Sequence, residues 1–191
     1  LNIGSPEYIN NPDEFESLND APQAVGMLRR AGYRICVVTN QSPILRGLWD
    51  EHRLHEIHNH MRQVFLEQDS DAHFDMILAC PHRHRDRCMC RKPMPGMLRF
   101  GERVLRGDFV CKEGESIAEL FSEDGKVDWW GEKPLPSNPF DCMVGDRGSD
   151  MGAGWAQGLR LFQVHGANGI FPLIGQILDS NNKGDDFHPV R

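Results

Sequence analysis

Tyr33-Arg-Ile-Cys-Val-Val-Thr-Asn-Gln-Ser42 is a short apolar run, rich in β-branched residues, that ends in small polar ones. Apolarity without alternation marks a strand buried on both faces of a parallel sheet. A helix is expected just before it over Ala21–Ala31: Ala24, Val25, Leu28 and Ala31 fall at helical spacing and Gly32 ends the run. A second helix is expected over 50–68, where Leu54, Ile57, Met61, Val64 and Phe65 share one face. Strands are expected at 74–79, 141–145 and 159–164, and helices at 96–105, 149–157 and 170–178. Strands alternating with helices define an α/β fold, a Rossmann-like parallel sheet with helices on both faces.

At 191 residues the chain suits a single domain spanning 1–191. The formal net charge of −7 argues against a nucleic-acid or membrane partner. No apolar run approaches the roughly 20 residues needed to span a bilayer. Six cysteines, three of them clustered, fit a reducing, cytoplasmic setting better than a disulfide framework. Cys36 and Cys142 sit in apolar runs and read as core residues. Residues 107–140 break the strand–helix rhythm as an insertion carrying Trp129-Trp130. It reads either as a lid over the site or as a surface excursion anchored by its aromatics. The tail, 180–191, reads as polar and loose. The histidines at 52, 55, 58 and 60 spread around their helix with no i, i+4 pair and read as a solvated face.

The most distinctive chemistry is Cys80-Pro-His82, then Cys88-Met-Cys90-Arg-Lys-Pro93. Cys-x-His and Cys-x-Cys pairs closed by a short loop can wrap a tetrahedral zinc ion, with four protein ligands and no position left for a reacting water. Arg91 and Lys92 come directly after the last ligand. Two cations on a metal-pinned loop suggest recognition of an anion, a phosphate above all. On an overall acidic chain, a local basic run points to a small phosphorylated ligand. Ligands of open α/β sheets bind beyond the carboxyl ends of the strands. Thr39, Lys92 and Asp146 fall at three successive such ends. Gly145-Asp146-Arg-Gly-Ser-Asp150 places two carboxylates where magnesium is at home, although Asp150 could equally cap a helix start.

Val37-Val-Thr-Asn-Gln-Ser42, the Cys80–Leu98 stretch and Met143-Val-Gly-Asp-Arg-Gly-Ser-Asp-Met-Gly-Ala-Gly154 together resemble haloacid-dehalogenase-type phosphatases. The nearest branch is the zinc-containing one, the heptose bisphosphate phosphatases and the histidinol-phosphatase domain. The resemblance implies a magnesium-dependent phosphomonoester hydrolase acting on a small sugar phosphate; a monomer is expected. It implies that Thr39 contacts the transferring phosphoryl group, that Lys92 neutralises it, and that Asn40, Gln41, Ser42 and Arg91 help bind substrate. It implies magnesium at Asp146 with Asp150 supporting that site indirectly, and zinc on Cys80, His82, Cys88 and Cys90. Thr-Asn-Gln-Ser and Arg-Lys-Pro-x-Pro-Gly-Met-Leu resemble the heptose enzymes. The five-residue gap between His82 and Cys88 resembles the histidinol-phosphatase spacing. The insertion matches neither.

The family carries an Asp-x-Asp-Gly motif at the tip of its first, central strand, the first Asp as nucleophile. The residues from Leu1 onward resemble the segment on the carboxyl side of that motif. The chain is therefore expected to be an N-terminally truncated form lacking both aspartates, or else a non-catalytic relative that binds a phosphate ligand. The strand expected between those of Val37 and Val144 would then be missing, leaving a groove and a poorly stable, inactive fragment.

Overall fold

The structure, a computed structural model, describes residues 1–4, 7–108 and 126–190. Four strands form in chain order: β1 (Cys36–Asn40), β2 (Met76–Cys80), β3 (Cys142–Gly145) and β4 (Arg160–Gln163). The helices are α1 (Ala21–Arg30), α2 (Pro43–Arg46), α3 (Glu51–Gln68), α4 (Gly96–Arg106), α5 (Gly148–Ala156) and α6 (Ile174–Leu178). Each lies within a few residues of its expected place, save the extra turn of α2. Pro43 fixes the backbone at that helix's first position, where no N–H is needed.

Between these strands pairing is parallel. β1 lies beside β2 with Thr39 opposite Ala79 and Asn40 opposite Cys80. β3 lies beside β4 with Val144 opposite Phe162. Side chains alternate across each strand, and this period sorts the core. Val37 and Ile77 turn toward α1 and α3, against Val25, Met61 and Phe65. Val38, Met76 and Leu78 turn the other way, against Met97 and Phe100 of α4. Likewise Val144 and Phe162 meet α1 and α6, and Met143 and Leu161 meet α5. Helices therefore cover both faces, as expected.

The strands form two two-stranded halves: β1 and β3 are not hydrogen-bonded to each other. Between their facing edges runs a cleft of about 1490 Å³, lined from Ile35 to Gln41 on one side and from Asp141 to Arg147 on the other. This is where the sequence led us to expect a groove.

The segment expected to be loose has partners along its described part. Asp185 donates its N–H to the Leu161 carbonyl and accepts the Gln163 N–H on its carboxylate, pinning the segment along β4. Phe187 packs on the cluster around Trp155, and the His188 ring meets Trp155 edge-on at 5.3 Å. The anchor is Arg160, 5% exposed, whose guanidinium donates to the carbonyls of Phe140, Ile177, Asp179 and Asn182 and to the Tyr33 hydroxyl. An alternating polar tail carried no periodic signal of this docking. Much of the insertion, with Cys111, lies outside the described residues. Of its described part, Trp129 stacks on Trp155 at 6.2 Å, which ties the segment to the core. Trp130 is exposed.

Among the described residues, no helix is long and apolar enough to cross a membrane.

Candidate active site

The cleft opens at the carboxyl ends of the strands, and there the polar residues gather. β1 ends in Thr39 and Asn40. Gln41 continues the pairing by donating its N–H to the Cys80 carbonyl at 2.7 Å. The Gln41 side chain lies 3.1 Å from the Thr39 hydroxyl. β3 ends in Gly145, and Asp146 and Arg147 continue into the cleft wall. Gly145 is required here because a Cβ at this position would collide with the Asp150 side chain. Gly154 is required for a related reason: a Cβ there would come 2.6 Å from Leu161 Cδ2, so α5 could not lie close on the β3–β4 sheet.

Lys92 is the centre of the arrangement. Its Nζ donates to the Val38 carbonyl at 2.6 Å and pairs with Asp150 Oδ1 at 2.7 Å. Both side chains are nearly buried, 11% and 8% exposed. The pair sets opposite charges against each other in a place that water leaves poorly solvated. Asp150 Oδ2 accepts the Arg147 N–H at 3.1 Å, closing the start of α5. Asp150 is thus the counter-ion of Lys92 and a helix cap together. Asp146 lines the same cleft.

The structure therefore brings Thr39, Asn40, Gln41, Lys92, Asp146 and Asp150 together on one cleft. Ser42 and Arg91 are not part of that wall. Ser42 is buried at the start of α2. Arg91 turns back and donates from Nη1 to the His82 carbonyl at 2.7 Å, which braces the loop it belongs to.

Behind Lys92 lies the cysteine loop. Ligand atoms of Cys80, His82 and Cys88 all fall within 4.8 Å of one another. Cys80 Sγ is 3.7 Å from His82 Nδ1. Cys90 is buried beside them but is not in that three-residue group; its backbone N–H donates to Cys88 Sγ at 3.4 Å. Burial pushes the Cys80 thiol up to about 11 and Cys90 up to about 12, and the neighbouring Cys88 pushes each the same way. Crowded thiols that resist ionisation together are relieved by a shared cation, since metal ligation takes the thiolate form. The donor set of two or three sulfurs and one imidazole fits zinc.

The histidines of α3 do not form one solvated face. His60 meets Phe15 edge-on at 6.3 Å. His58 lines the cleft, and its burial, with Arg62 and His55 nearby, holds its pKa down to about 4. Helical periodicity shows that the four spread around the cylinder but not that the cleft reaches one of them.

Parallel strands covered on both faces, with an ammonium, a hydroxyl and carboxylates at their carboxyl ends, define a phosphatase of the haloacid-dehalogenase-like fold. The chain belongs to the polynucleotide kinase 3 phosphatase family, whose sequence profile matches residues 5–122. It is similar to D-glycero-beta-D-manno-heptose-1,7-bisphosphate 7-phosphatase of Pseudomonas aeruginosa, 39% identical over 124 residues that cover 63% of this chain and 67% of the relative. The enzyme of the same name from Neisseria meningitidis serogroup A is 35% identical over 136 residues, covering 70% of each. The chain thus spans about two thirds of these relatives' length. Among solved structures, D,D-heptose 1.7-bisphosphate phosphatase from B. bronchiseptica, complexed with magnesium and phosphate, superposes with a TM-score of 0.66 at 29% identity. The match covers 88% of this chain and 77% of that one. A putative HAD-like phosphatase from Mesorhizobium loti shares the fold, with a TM-score of 0.63 at 22% identity, over 93% of this chain and 79% of that one.

Proposed function

We propose that this chain carries the phosphate-binding and metal-binding part of a magnesium-dependent phosphomonoester hydrolase. Its substrate is a small sugar phosphate, most like D-glycero-D-manno-heptose 1,7-bisphosphate, hydrolysed at the 7-phosphate. The observation that carries the reading is the Lys92 ammonium held between the Val38 carbonyl and Asp150, with Thr39 and Asp146 on the same cleft. The names of the relatives support the substrate, and a chain of net charge −7 suits a small ester better than a polynucleotide.

The parts take these roles. Lys92 places a fixed positive charge against the phosphoryl oxygens, where charge spreads during transfer. The Thr39 hydroxyl donates to one of those oxygens. Asp146 would hold magnesium, which when bound supplies further positive charge to the same oxygens. Cys80, His82 and Cys88, with Cys90 beside them, would hold zinc, which when bound fastens the loop that ends at Lys92. Among the described residues the carboxylates at the strand ends are Asp146 and Asp150. The second is committed to Lys92 and to the helix start, so the attacking carboxylate of a covalent mechanism is not among them. The free state of all five described cysteines suits a reducing, cytoplasmic setting. A monomer active in carbohydrate metabolism completes the reading.

The test has two arms. The 191-residue chain should bind inorganic phosphate, and Lys92→Ala should lose most of that affinity. In the protein as its gene encodes it, with magnesium, phosphate release should be fastest from the heptose bisphosphate. Faster release from histidinol phosphate, or from a 3′-phosphorylated oligonucleotide, would replace the substrate named here.

A further inference from the structure

We propose that Asn40 is a positioning residue for Lys92: its carboxamide grips the Lys92 backbone and holds the ammonium in place without touching the ligand. The inference rests on the phosphate-site reading above.

Asn40 Oδ1 accepts the Lys92 N–H at 3.0 Å, and Asn40 Nδ2 donates to the Lys92 carbonyl at 3.0 Å. A backbone N–H only donates and a carbonyl only accepts, so one orientation of the amide satisfies both and its reverse satisfies neither. Two bonds from one planar group to a single residue's backbone form a two-point clamp. The Lys92 side chain then runs back along β1 to the Val38 carbonyl. The strand therefore holds this one residue at two levels, by backbone at Asn40 and by ammonium at Val38. Asn40 is also the last residue of β1 and lies opposite Cys80, where the chain leaves β2 for the metal loop. Residues 81–91 depart from Asn40's partner and return to Asn40's side chain. The clamp closes that excursion at its far end, as the Cys80–His82–Cys88 cluster closes it at its near end. Both Oδ1 and Nδ2 of the carboxamide are engaged by the Lys92 backbone, whereas the Lys92 ammonium, with two partners, keeps a third N–H to offer the cleft.

Removing the carboxamide strands two half-buried backbone groups and frees the loop to leave the strand. The experiment is a brief acylation of the full 191-residue chain with acetic anhydride, with labelling at each lysine read by mass spectrometry. In Asn40→Ala, labelling of Lys92 should rise about tenfold over wild type, while Lys133 stays unchanged as an internal reference. Affinity for inorganic phosphate, measured by calorimetry, should fall by about tenfold. Asn40→Asp, which can still accept the Lys92 N–H, should lie between the two. Unchanged labelling of Lys92 in Asn40→Ala overturns the proposal. So does a parallel rise at Lys133 with a lowered melting temperature, which would make Asn40 a general support of the fold. If the wild-type chain binds no phosphate, the phosphate-site reading fails by itself, and the labelling of Lys92 still decides the clamp.

Discussion

Lys92 and Asp150 form the kind of pair whose two halves are unequal in what they leave behind. A nearly buried ammonium that loses its carboxylate retains one carbonyl partner and an uncompensated charge. Asp150→Ala should therefore destabilise the chain by about 3 kcal/mol, while Lys92→Met, which leaves the Asp150 carboxylate with the Arg147 N–H at a helix start, should cost less. Urea unfolding midpoints of the two variants check the order, and equal losses would show the pair to be better solvated than its burial indicates. His58 gives a second prediction, in pH. Its pKa falls from 6.5 in the free residue to about 4 in the fold, chiefly by burial. The neutral ring is the one the fold accommodates, so its contribution to stability is fully present above pH 6.5 and is lost as pH falls toward 4. Part of the residue is exposed, so screening reduces the effect to about 1–2 kcal/mol. His58→Gln should flatten the decline of the melting temperature between pH 7 and 4.5; an unchanged decline would remove His58 as its cause. Residue identity made Thr39, Lys92 and Asp146 legible from the sequence, because strand ends in an α/β fold are where polar chemistry collects. The Asn40–Lys92 clamp was not legible, because nothing in the spacing of two residues fifty-two apart says which backbone a carboxamide will meet.

The metal loop and the tail act at the scale of elements. The loop carries Lys92, and its near end is held by side chains that repel one another as thiolates and attract as metal ligands. Removal of bound metal with a chelator, or Cys88→Ser, should lower the melting temperature by about 10 °C. It should also weaken phosphate binding. Loss of metal with phosphate affinity intact would separate the loop from the site. The tail depends on Arg160. Its guanidinium answers four carbonyls and a hydroxyl; in Arg160→Met the Ile177 carbonyl would keep the Tyr33 hydroxyl and the Asp179 carbonyl the Asn182 N–H, but the hub that joins β4 to the tail would be gone. A loss of about 3 kcal/mol is expected, read by urea titration, together with faster proteolysis after residue 178. A wild-type-like digestion pattern would show that Asp185 and Phe187 suffice to hold the segment. The strands and long helices were legible because β1 and α3 repeat their apolar residues at the right period. The tail was not, because it docks through single residues, Asp185, Phe187 and His188, each with its own partner.

Over the whole molecule the decisive feature is the cleft between the two half-sheets. Val37, Val38, Met143 and Val144 are typical of strands buried on all sides, yet each lines this opening, as do Phe15, Leu28 and Met61 from the helices. The sequence signalled full burial for β1 and β3, and their side chains do meet helices above and below. What is open is the lateral edge, where backbone groups of parallel strands ordinarily find a neighbour. The described chain thus has two halves, each with its own helices, joined mainly through α1, which packs against α3 on one side and α6 on the other. Such a molecule lacks the continuous hydrogen-bonded sheet that makes unfolding cooperative. The 191-residue chain should melt broadly, with a midpoint below the ~45 °C that bounds ordinary mesophile domains. It should bind a dye that fluoresces on apolar surfaces while its far-ultraviolet circular dichroism remains native. Amide exchange should be fast at the β1 and β3 N–H groups that face the cleft and slow at those that pair β1 with β2 and β3 with β4. A sharp transition at high temperature, with all four strands equally protected, would mean that the two halves close on each other in solution and that the cleft is not a standing property of the chain.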